Sequence, residues 1–215
     1  MRIEVFADVV CPWCYVGERR LRKALEAHPE GNFEIKWRPF RLRPEMPIGG
    51  LPWHEFAVDK FGGEANMKAA FEHVSDAGEP DGIRFDFDRV ASAPNTVDAH
   101  RLILFAETHG LGEQAAEALF HAYFTEGKNL NDLENLLQTA AEAGLDTEET
   151  SSHLQSDNGV EGVWASQAAA SDIPVKSVPF YVFDGRLAVS GAQAVEVFAE
   201  ALEVATSSTE TAYQA

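Results

Sequence analysis

Asp8-Val9-Val10-Cys11-Pro12-Trp13-Cys14-Tyr15 contains both cysteines of this chain, spaced as C-x-x-C. The segment follows an apolar strand predicted over residues 2–6 and precedes a charged helix with an apolar stripe over residues 18–25. Two thiols at this spacing can close a small, reducible disulfide. The N-terminus of a helix stabilises the thiolate of the first cysteine through its unpaired N–H groups and its dipole. The order strand, C-x-x-C, helix therefore predicts a redox active site at Cys11 and Cys14.

The composition bounds the class of protein. A length of 215 residues suits one large domain, or a core fold that carries an insertion. The net charge of −18 repels phosphate backbones and anionic lipids, which argues against nucleic acid and membrane surfaces as partners. No segment approaches the ~18 apolar residues of a spanning helix, and residues 1–5 lead into a strand rather than a secretory signal. Because no further cysteines are available for structural disulfides, the sequence predicts a cytoplasmic protein.

Hydrophobic periodicity divides the chain into strand-bearing ends and a helical middle. After the first strand and helix, strands are predicted over residues 33–40, 180–183 and 187–189. Asp184-Gly185 is predicted to form a two-residue hairpin turn between the last two strands. Residues 52–172 are predicted to be mainly helical, with Asn95 as the N-cap of one helix, and a final helix is predicted over residues 193–205. Pairing of the C-terminal hairpin with the N-terminal strands gives an α/β fold from which the helical section extends as a lobe.

Several stretches give the chain a resemblance to a known family. In chain order they are Asp8 to Gly17, Trp37-Arg38-Pro39-Phe40, Pro94-Asn95-Thr96 with Ala99-His100-Arg101-Leu102, Ala122-Tyr123-Phe124 with Glu126-Gly127, Val178-Pro179-Phe180 and Ser190-Gly191-Ala192-Gln193. Together they resemble DsbA-type thioredoxin-fold oxidoreductases, and in detail the cytosolic FrnE-like branch. The resemblance implies a thioredoxin fold with a large inserted all-helical lobe. The implied division is residues 1–50 for the first part of the thioredoxin fold, 51–172 for the lobe, 173–205 for the second part and 206–215 for a flexible tail.

The resemblance also implies roles for individual residues. Cys11 is the attacking thiol, Cys14 the resolving thiol and Pro179 a cis-proline across from both. The residues expected to bind substrate are Pro12, Trp13, Val178, Phe40 and His100. The implied activity is that of a protein disulfide oxidoreductase or isomerase, acting on a protein or small molecule that carries a disulfide or dithiol. It requires no cofactor, has glutathione as a candidate redox partner or substrate, and is compatible with a monomer or a homodimer.

Some of these residues also have a plainer interpretation. Phe40 suits core packing, and His100 suits a structural or solvated position beside an apolar stripe. Asp8 has two interpretations: a residue at the end of the strand, which we favour, or a buried carboxylate that handles the Cys14 proton. The basic cluster of the first helix is expected to be a solvated face, with attraction of glutathione carboxylates as the alternative; it comprises Arg19, Arg20, Arg22 and Lys23. A structural zinc site is not favoured, because no second cysteine pair exists and the seven histidines are scattered.

Two other functions compete with the oxidoreductase. The chain also resembles kappa-class glutathione transferases and 2-hydroxychromene-2-carboxylate isomerases, which share the inserted fold. Those families normally carry serine at the position of Cys11 and lack the second thiol, although Ser190-Gly191-Ala192-Gln193 is compatible with a glutathione-type pocket. A chaperone-like binder with the thiols as a redox switch is the third hypothesis, and it predicts that cysteine-to-serine variants keep their binding activity.

Overall fold

The computed structural model describes residues 1–172, 175 and 177–210. Its strands are β1 (Arg2–Ala7), β2 (Glu34–Pro39), β3 (Leu51–Pro52), β4 (Ser92–Ala93), β5 (Phe180–Phe183) and β6 (Leu187–Ser190). Its α-helices are α1 (Pro12–Glu26), α2 (Trp53–Phe61), α3 (Glu64–Gly78), α4 (Val97–Thr108), α5 (Gly112–Phe124), α6 (Leu133–Glu142), α7 (Thr147–Leu154), α8 (Val160–Asp172) and α9 (Val195–Glu210). Among these described helices, none is long and apolar enough to cross a membrane.

A four-stranded sheet in the order β2-β1-β5-β6 forms the centre of the molecule. β1 pairs with β2 in parallel and with β5 antiparallel, and β5 pairs antiparallel with β6. β1 is mostly buried because it has a neighbour on each side, and α1 makes the crossover that a parallel β1–β2 pair requires. The helices α2 to α8 are inserted between β2 and β5. This arrangement confirms the α/β thioredoxin fold with a helical insertion.

Three local details differ from the sequence-based expectation. The inserted section also contains the short β3–β4 pair, which is too brief to leave a periodic pattern. The hairpin loop has three residues rather than two. Asp184 and Gly185 both have positive φ angles, as the two central residues of a type I′ turn require. However, Phe183 pairs with Leu187, which leaves Arg186 in the loop as a third residue. Asn95 lies one residue before the N-cap Thr96 and accepts a hydrogen bond from the Val97 N–H at 3.1 Å.

The last helix is longer than predicted. α9 ends at Glu210, whereas the sequence predicted an end near residue 205 and a flexible tail from residue 206. Thr206 and Ser207 look like tail residues in composition, but their hydroxyls donate to the carbonyls of Leu202 and Glu203 one turn earlier, at 2.7 and 2.8 Å. These bonds let small polar residues continue the helix. The remainder of the predicted tail, residues 211–215, lies outside the described residues.

The basic cluster of α1 lies in ion pairs and does not form a solvated face. Arg20 donates to Asp81 Oδ2 at 2.7 Å, to the Ala192 carbonyl at 2.9 Å and to the Ala77 carbonyl at 2.9 Å. The other members are paired as Arg19–Glu117, Arg22–Glu18 and Lys23–Asp81. Because Asp81, Ala77 and Glu117 belong to the inserted section, these pairs hold the lobe against the helix that carries the thiols. The cluster therefore already has carboxylate partners within the fold.

Candidate active site

Cys11 occupies the N-cap of α1 and Cys14 lies in its first turn. The Cys11 backbone is extended, with φ −98° and ψ 109°, and Pro12 follows at the first helical position, where no N–H is needed. The Cys11 N–H donates to the Asp8 carbonyl at 3.0 Å, which closes the turn between β1 and α1. Both thiols are free; Cys11 is 5% exposed and Cys14 is 1% exposed. The first thiol therefore lies nearer the surface, with the second directly beneath it.

The surroundings shift the two thiol pKa values in opposite directions. A hydrogen bond from the Cys14 thiol lowers the pKa of Cys11; burial opposes this, and the Cys14 backbone N–H reinforces it. Burial raises the pKa of Cys14 well above its usual value, and the hydrogen bond with Cys11 raises it further. Since the thiolate is the nucleophile in thiol–disulfide exchange, this asymmetry favours Cys11 as the attacking group.

The segment around Pro179 packs against the start of α1. The Val178–Pro179 peptide bond is cis, as the resemblance implied. The Cys11 thiol donates to the Val178 carbonyl at 3.7 Å, so these two residues are in direct contact. Gly17 makes this approach possible, because a Cβ there would lie 2.2 Å from the Tyr181 hydroxyl and 3.0 Å from Pro179 Cγ. A glycine is thus required one turn beyond the thiols.

A cleft between α1 and the inserted helices leads to Cys11. Its volume is about 170 Å³, and it is lined among others by Cys11, Pro12, Trp13, Leu42, Lys60 and Phe71. Pro12 and Trp13 thus line the cleft, as the sequence analysis expected of substrate-binding residues. Phe40 was expected there too, but it is a partly buried side chain packed against the core and does not line the cleft. Its backbone N–H pairs with the Ala7 carbonyl at 3.1 Å, which ties this residue to the end of the sheet.

His100 forms a buried pair with Asp8 and does not line the cleft. His100 is 2% exposed and Asp8 is 1% exposed. The His100 Nε2 atom lies 3.2 Å from Asp8 Oδ1, and Asp8 Oδ2 accepts the Leu42 N–H at 2.8 Å. The expected role of His100 in substrate binding stays a prediction. Its plainer interpretation, a structural position, agrees with the burial of α4, on which the next residue, Arg101, is buried as well. Asp8 is likewise more than a strand-end residue, since its charge acts on both thiols.

Lys60 is a residue of the site that the sequence analysis missed. It lies on the last turn of α2 and lines both the cleft at Cys11 and the smaller adjoining cavity at Asp8. Burial lowers the pKa of Lys60, while the negative charges of Cys11 and Asp8 oppose that shift. In turn the ammonium group lowers the pKa of Cys11, and Asp8 raises it. No motif marks Lys60, which comes close to Cys11 only because α2 and the start of α1 line the same cleft.

Replacing Lys60 with methionine is expected to raise the pKa of Cys11. The thiolate loses the positive charge beside it, whereas the length of the side chain is nearly unchanged. At pH values below the midpoint of the Cys11 titration, alkylation by iodoacetamide should be roughly threefold slower than in the wild type, because only the thiolate reacts. The measurement is the alkylation rate as a function of pH. Lys68→Met, an exposed change on α3, is the matched control; an unshifted profile in Lys60→Met, or an equal shift in the control, would contradict the prediction.

The chain is similar to known proteins over most of its length. The chain matches the family of DSBA-like thioredoxin domains over residues 2–203. A solved structure of a probable DsbA oxidoreductase, SCO1869 from Streptomyces coelicolor, is 33% identical, with a TM-score of 0.87 over 96% of this chain and 90% of that one.

Two more distant structures share the fold. A 2-hydroxychromene-2-carboxylate isomerase is 17% identical, with a TM-score of 0.71 and full coverage of both chains, 100% each. The cytosolic disulfide reductase DsbM from Pseudomonas aeruginosa, solved with GSH, is 18% identical, with a TM-score of 0.67 over 95% of this chain and 98% of that one. At these identities the likeness shows the fold alone.

Proposed function

Because the chain belongs to the family of DSBA-like thioredoxin domains, we propose that it is a thiol–disulfide oxidoreductase or isomerase with Cys11 as nucleophile and Cys14 as resolving thiol. The observation that carries this proposal is the asymmetry of the two thiols. Cys11 faces the cleft with a lowered pKa, whereas Cys14 is fully buried with a raised one. A first thiol with a lowered pKa at the opening and a second thiol with a raised pKa behind it suit attack and then resolution.

The reaction proceeds in two exchanges. The Cys11 thiolate attacks one sulfur of a substrate disulfide, forms a mixed disulfide and releases the other sulfur as a thiolate. Cys14 then loses its proton and attacks Cys11 Sγ, which breaks the mixed disulfide and releases the second substrate thiolate. The substrate has gained two electrons and the protein is left with a Cys11–Cys14 disulfide. The reverse sequence oxidises a substrate dithiol.

The cleft supports a substrate that combines apolar and anionic groups. Pro12 and Trp13 offer an apolar wall beside Cys11, and Lys60 offers a positive charge at the same place. Val178, in contact with Cys11, lies where an extended substrate chain could pair with the protein backbone. We extend the proposal to disulfide- or dithiol-containing proteins and to glutathione, whose carboxylates suit Lys60 and which accompanies DsbM in its solved structure.

The setting of the reaction is part of the same proposal. Like DsbM, which is described as cytosolic, the protein is proposed to act in the cytoplasm, as a monomer or a homodimer and without a cofactor. Glutathione there supplies the reducing or oxidising equivalents for the Cys11–Cys14 pair.

A redox titration tests the proposed function. The purified protein is equilibrated in buffers of varied ratio of reduced to oxidised glutathione, and its free thiols are trapped and counted. A reversible transition of two thiols per chain is expected, and its midpoint potential says whether the pair tends to oxidise or to reduce its substrates. If the pair never closes, the oxidoreductase is excluded, and the glutathione-dependent isomerase or transferase becomes the leading hypothesis.

A further inference from the structure

The cleft that leads to Cys11 is rich in aromatic side chains. Among the described residues that line it, five are aromatic: Trp13, Trp53, Phe61, Phe71 and Phe87. The other lining side chains are aliphatic, apart from the Cys11 thiol and the Lys60 ammonium. All five rings are half-buried, so each keeps part of its surface open. Half-exposed rings gathered in one concave place indicate a ligand site, because core packing alone would cover them.

The rings contributed by the inserted section are nearly parallel. The Phe71 ring lies 4.1 Å from the Phe87 ring between centroids, with 12° between the planes, and 5.8 Å from Trp53, with 9°. Phe85, which does not line the cleft, lies 5.3 Å from Phe87 with 3° between the planes. Trp53, Phe71, Phe87 and Phe85 thus form an aromatic stack. Phe61 meets Phe71 edge-on, at 5.7 Å and 85°, so the orientation of the stack is defined before a ligand enters.

The volume of the cleft suits one ring. An apolar cavity of roughly 150 Å³ takes up a benzene molecule, and the cleft at Cys11 has a volume of about 170 Å³. Pockets that hold whole small molecules are usually larger, at about 300–1,000 Å³. The cleft therefore has room for one substrate side chain, while the rest of a peptide stays outside it.

Lys60 makes the cleft better suited to an aromatic ring than to a saturated one. Its ammonium group lies 5.3 Å from the ring centroid of Phe61 and 6.0 Å from that of Phe56, so it already lies over two ring faces. Because Lys60 also lines the cleft, a ring that enters meets a cation as well as the aromatic stack. Both contacts act on π-electrons, which a saturated ring of the same size does not have.

Trp13 brings the aromatic lining up to the thiols. It lies between Cys11 and Cys14 in the sequence, and its ring packs on His73 of α3 at 5.4 Å between centroids. Since Cys11 and the rings line one cleft, a substrate cysteine at Cys11 brings its neighbour in the chain to the rings. Consecutive Cα atoms are only about 3.8 Å apart. The side chain next to the reacting cysteine is therefore the group that fills the cleft.

We propose that this cleft is a subsite for one aromatic side chain adjacent to the reacting cysteine of a polypeptide substrate. The inference rests on the proposed function and narrows its substrates to one class. A substrate phenylalanine, tyrosine or tryptophan packs against Trp13, Phe61 and the aromatic stack, and the Cys11 thiolate then attacks the neighbouring sulfur as described above. Glutathione carries no ring and reacts without this contact.

Single-turnover oxidation of the reduced protein tests the subsite. Short peptides carry one cysteine, capped as a disulfide with methanethiol, and a variable residue before or after it: phenylalanine, cyclohexylalanine or alanine. Each reaction converts the protein dithiol to the Cys11–Cys14 disulfide and releases the peptide thiol and methanethiol. Samples are quenched in acid and free thiols are trapped. The second-order rate constant should be at least about tenfold higher with phenylalanine than with alanine, and about threefold to tenfold higher than with cyclohexylalanine.

One variant of the cleft and one matched control locate the preference. Phe71→Leu removes a ring of the aromatic stack but keeps an apolar side chain, and it should bring the phenylalanine and cyclohexylalanine peptides to within about twofold of each other. Phe105→Leu changes a half-buried ring on α4 that packs on His109 and His153 and does not line the cleft. This control should keep the preference of the wild type.

The outcomes separate the subsite from the proposed function. Equal rates for the phenylalanine and cyclohexylalanine peptides in the wild type overturn the subsite, whatever the stability of the variants. An unchanged preference in Phe71→Leu, or an equal loss in Phe105→Leu, overturns it as well. If no peptide of the series oxidises the wild-type protein, the proposed function is rejected together with the subsite.

Discussion

Cys14→Ser is expected to accumulate as a stable mixed disulfide between Cys11 and glutathione, whereas Cys11→Ser forms no adduct and loses at least about a thousandfold in activity. The lowered pKa of Cys11 favours it as the proposed attacking group, and loss of a nucleophile commonly costs that much or more. The Cys14 side chain is buried behind Cys11, so it alone resolves the intermediate. A serine hydroxyl in its place is a far weaker nucleophile than a thiolate, and the intermediate persists.

Mass spectrometry under non-reducing conditions checks this prediction. After exposure to oxidised glutathione, Cys14→Ser should gain the mass of one glutathione moiety, the wild type should show an internal disulfide, and Cys11→Ser should be unmodified. Turnover is measured in parallel with a fluorescent disulfide peptide. An adduct on Cys11→Ser would reverse the assigned roles. Wild-type turnover in Cys14→Ser would mean that the protein works with a single thiol, as a glutathione-dependent isomerase or transferase would.

The thiol motif and the sheet could be predicted from sequence because their signals are local. The C-x-x-C spacing, the strand before it, the helix after it and the Asp184-Gly185 turn all lie within a few residues of the elements they define. The cis Val178–Pro179 bond is different, because nothing local distinguishes it from an ordinary strand-opening proline, and only the resemblance pointed to it. The short β3–β4 pair and the last turn of α9 were missed because two-residue strands and polar helix ends have no periodicity.

The charged groups around the thiols could not be predicted, because their partners are distant in sequence. Asp8 and His100 are 92 residues apart, and Arg19 and Glu117 are 98 residues apart. From their immediate neighbours, Asp8 was assigned to a strand end and Arg19 to a solvated helix face. Folding of the inserted section against the thioredoxin part pairs them, and burial is what shifts the pKa of Glu18. The lobe therefore covers the site and also shifts the pKa values of its ionisable groups.

Arg101 provides the largest expected effect on stability. Its side chain on α4 is 4% exposed and donates to four backbone carbonyls at the end of α7 and in the loop before α8, at 2.6–3.1 Å. These carbonyls are those of His153, Leu154, Ser156 and Asn158. A fifth bond joins Arg101 to Asp98 Oδ1 at 2.7 Å. The guanidinium thus supplies donors to a helix end whose carbonyls have no partner within the helix.

Arg101→Met should lower the free energy of unfolding by about 3–5 kcal/mol, because the carbonyls of Leu154, Ser156 and Asn158 lose the donors that one buried cation supplied. The His153 carbonyl keeps its bonds from the N–H and the hydroxyl of Ser156. Arg101→Lys should lose less stability than Arg101→Met. The lysine ammonium keeps the positive charge and up to three donors, although it lacks the planar geometry of the guanidinium. Denaturant unfolding followed by circular dichroism measures both losses. The exposed Arg84→Met is the control and should change stability by less than about 0.5 kcal/mol. A methionine variant as stable as this control would mean that water replaces the guanidinium at the end of α7, and that packing alone holds α7 and α8 against α4.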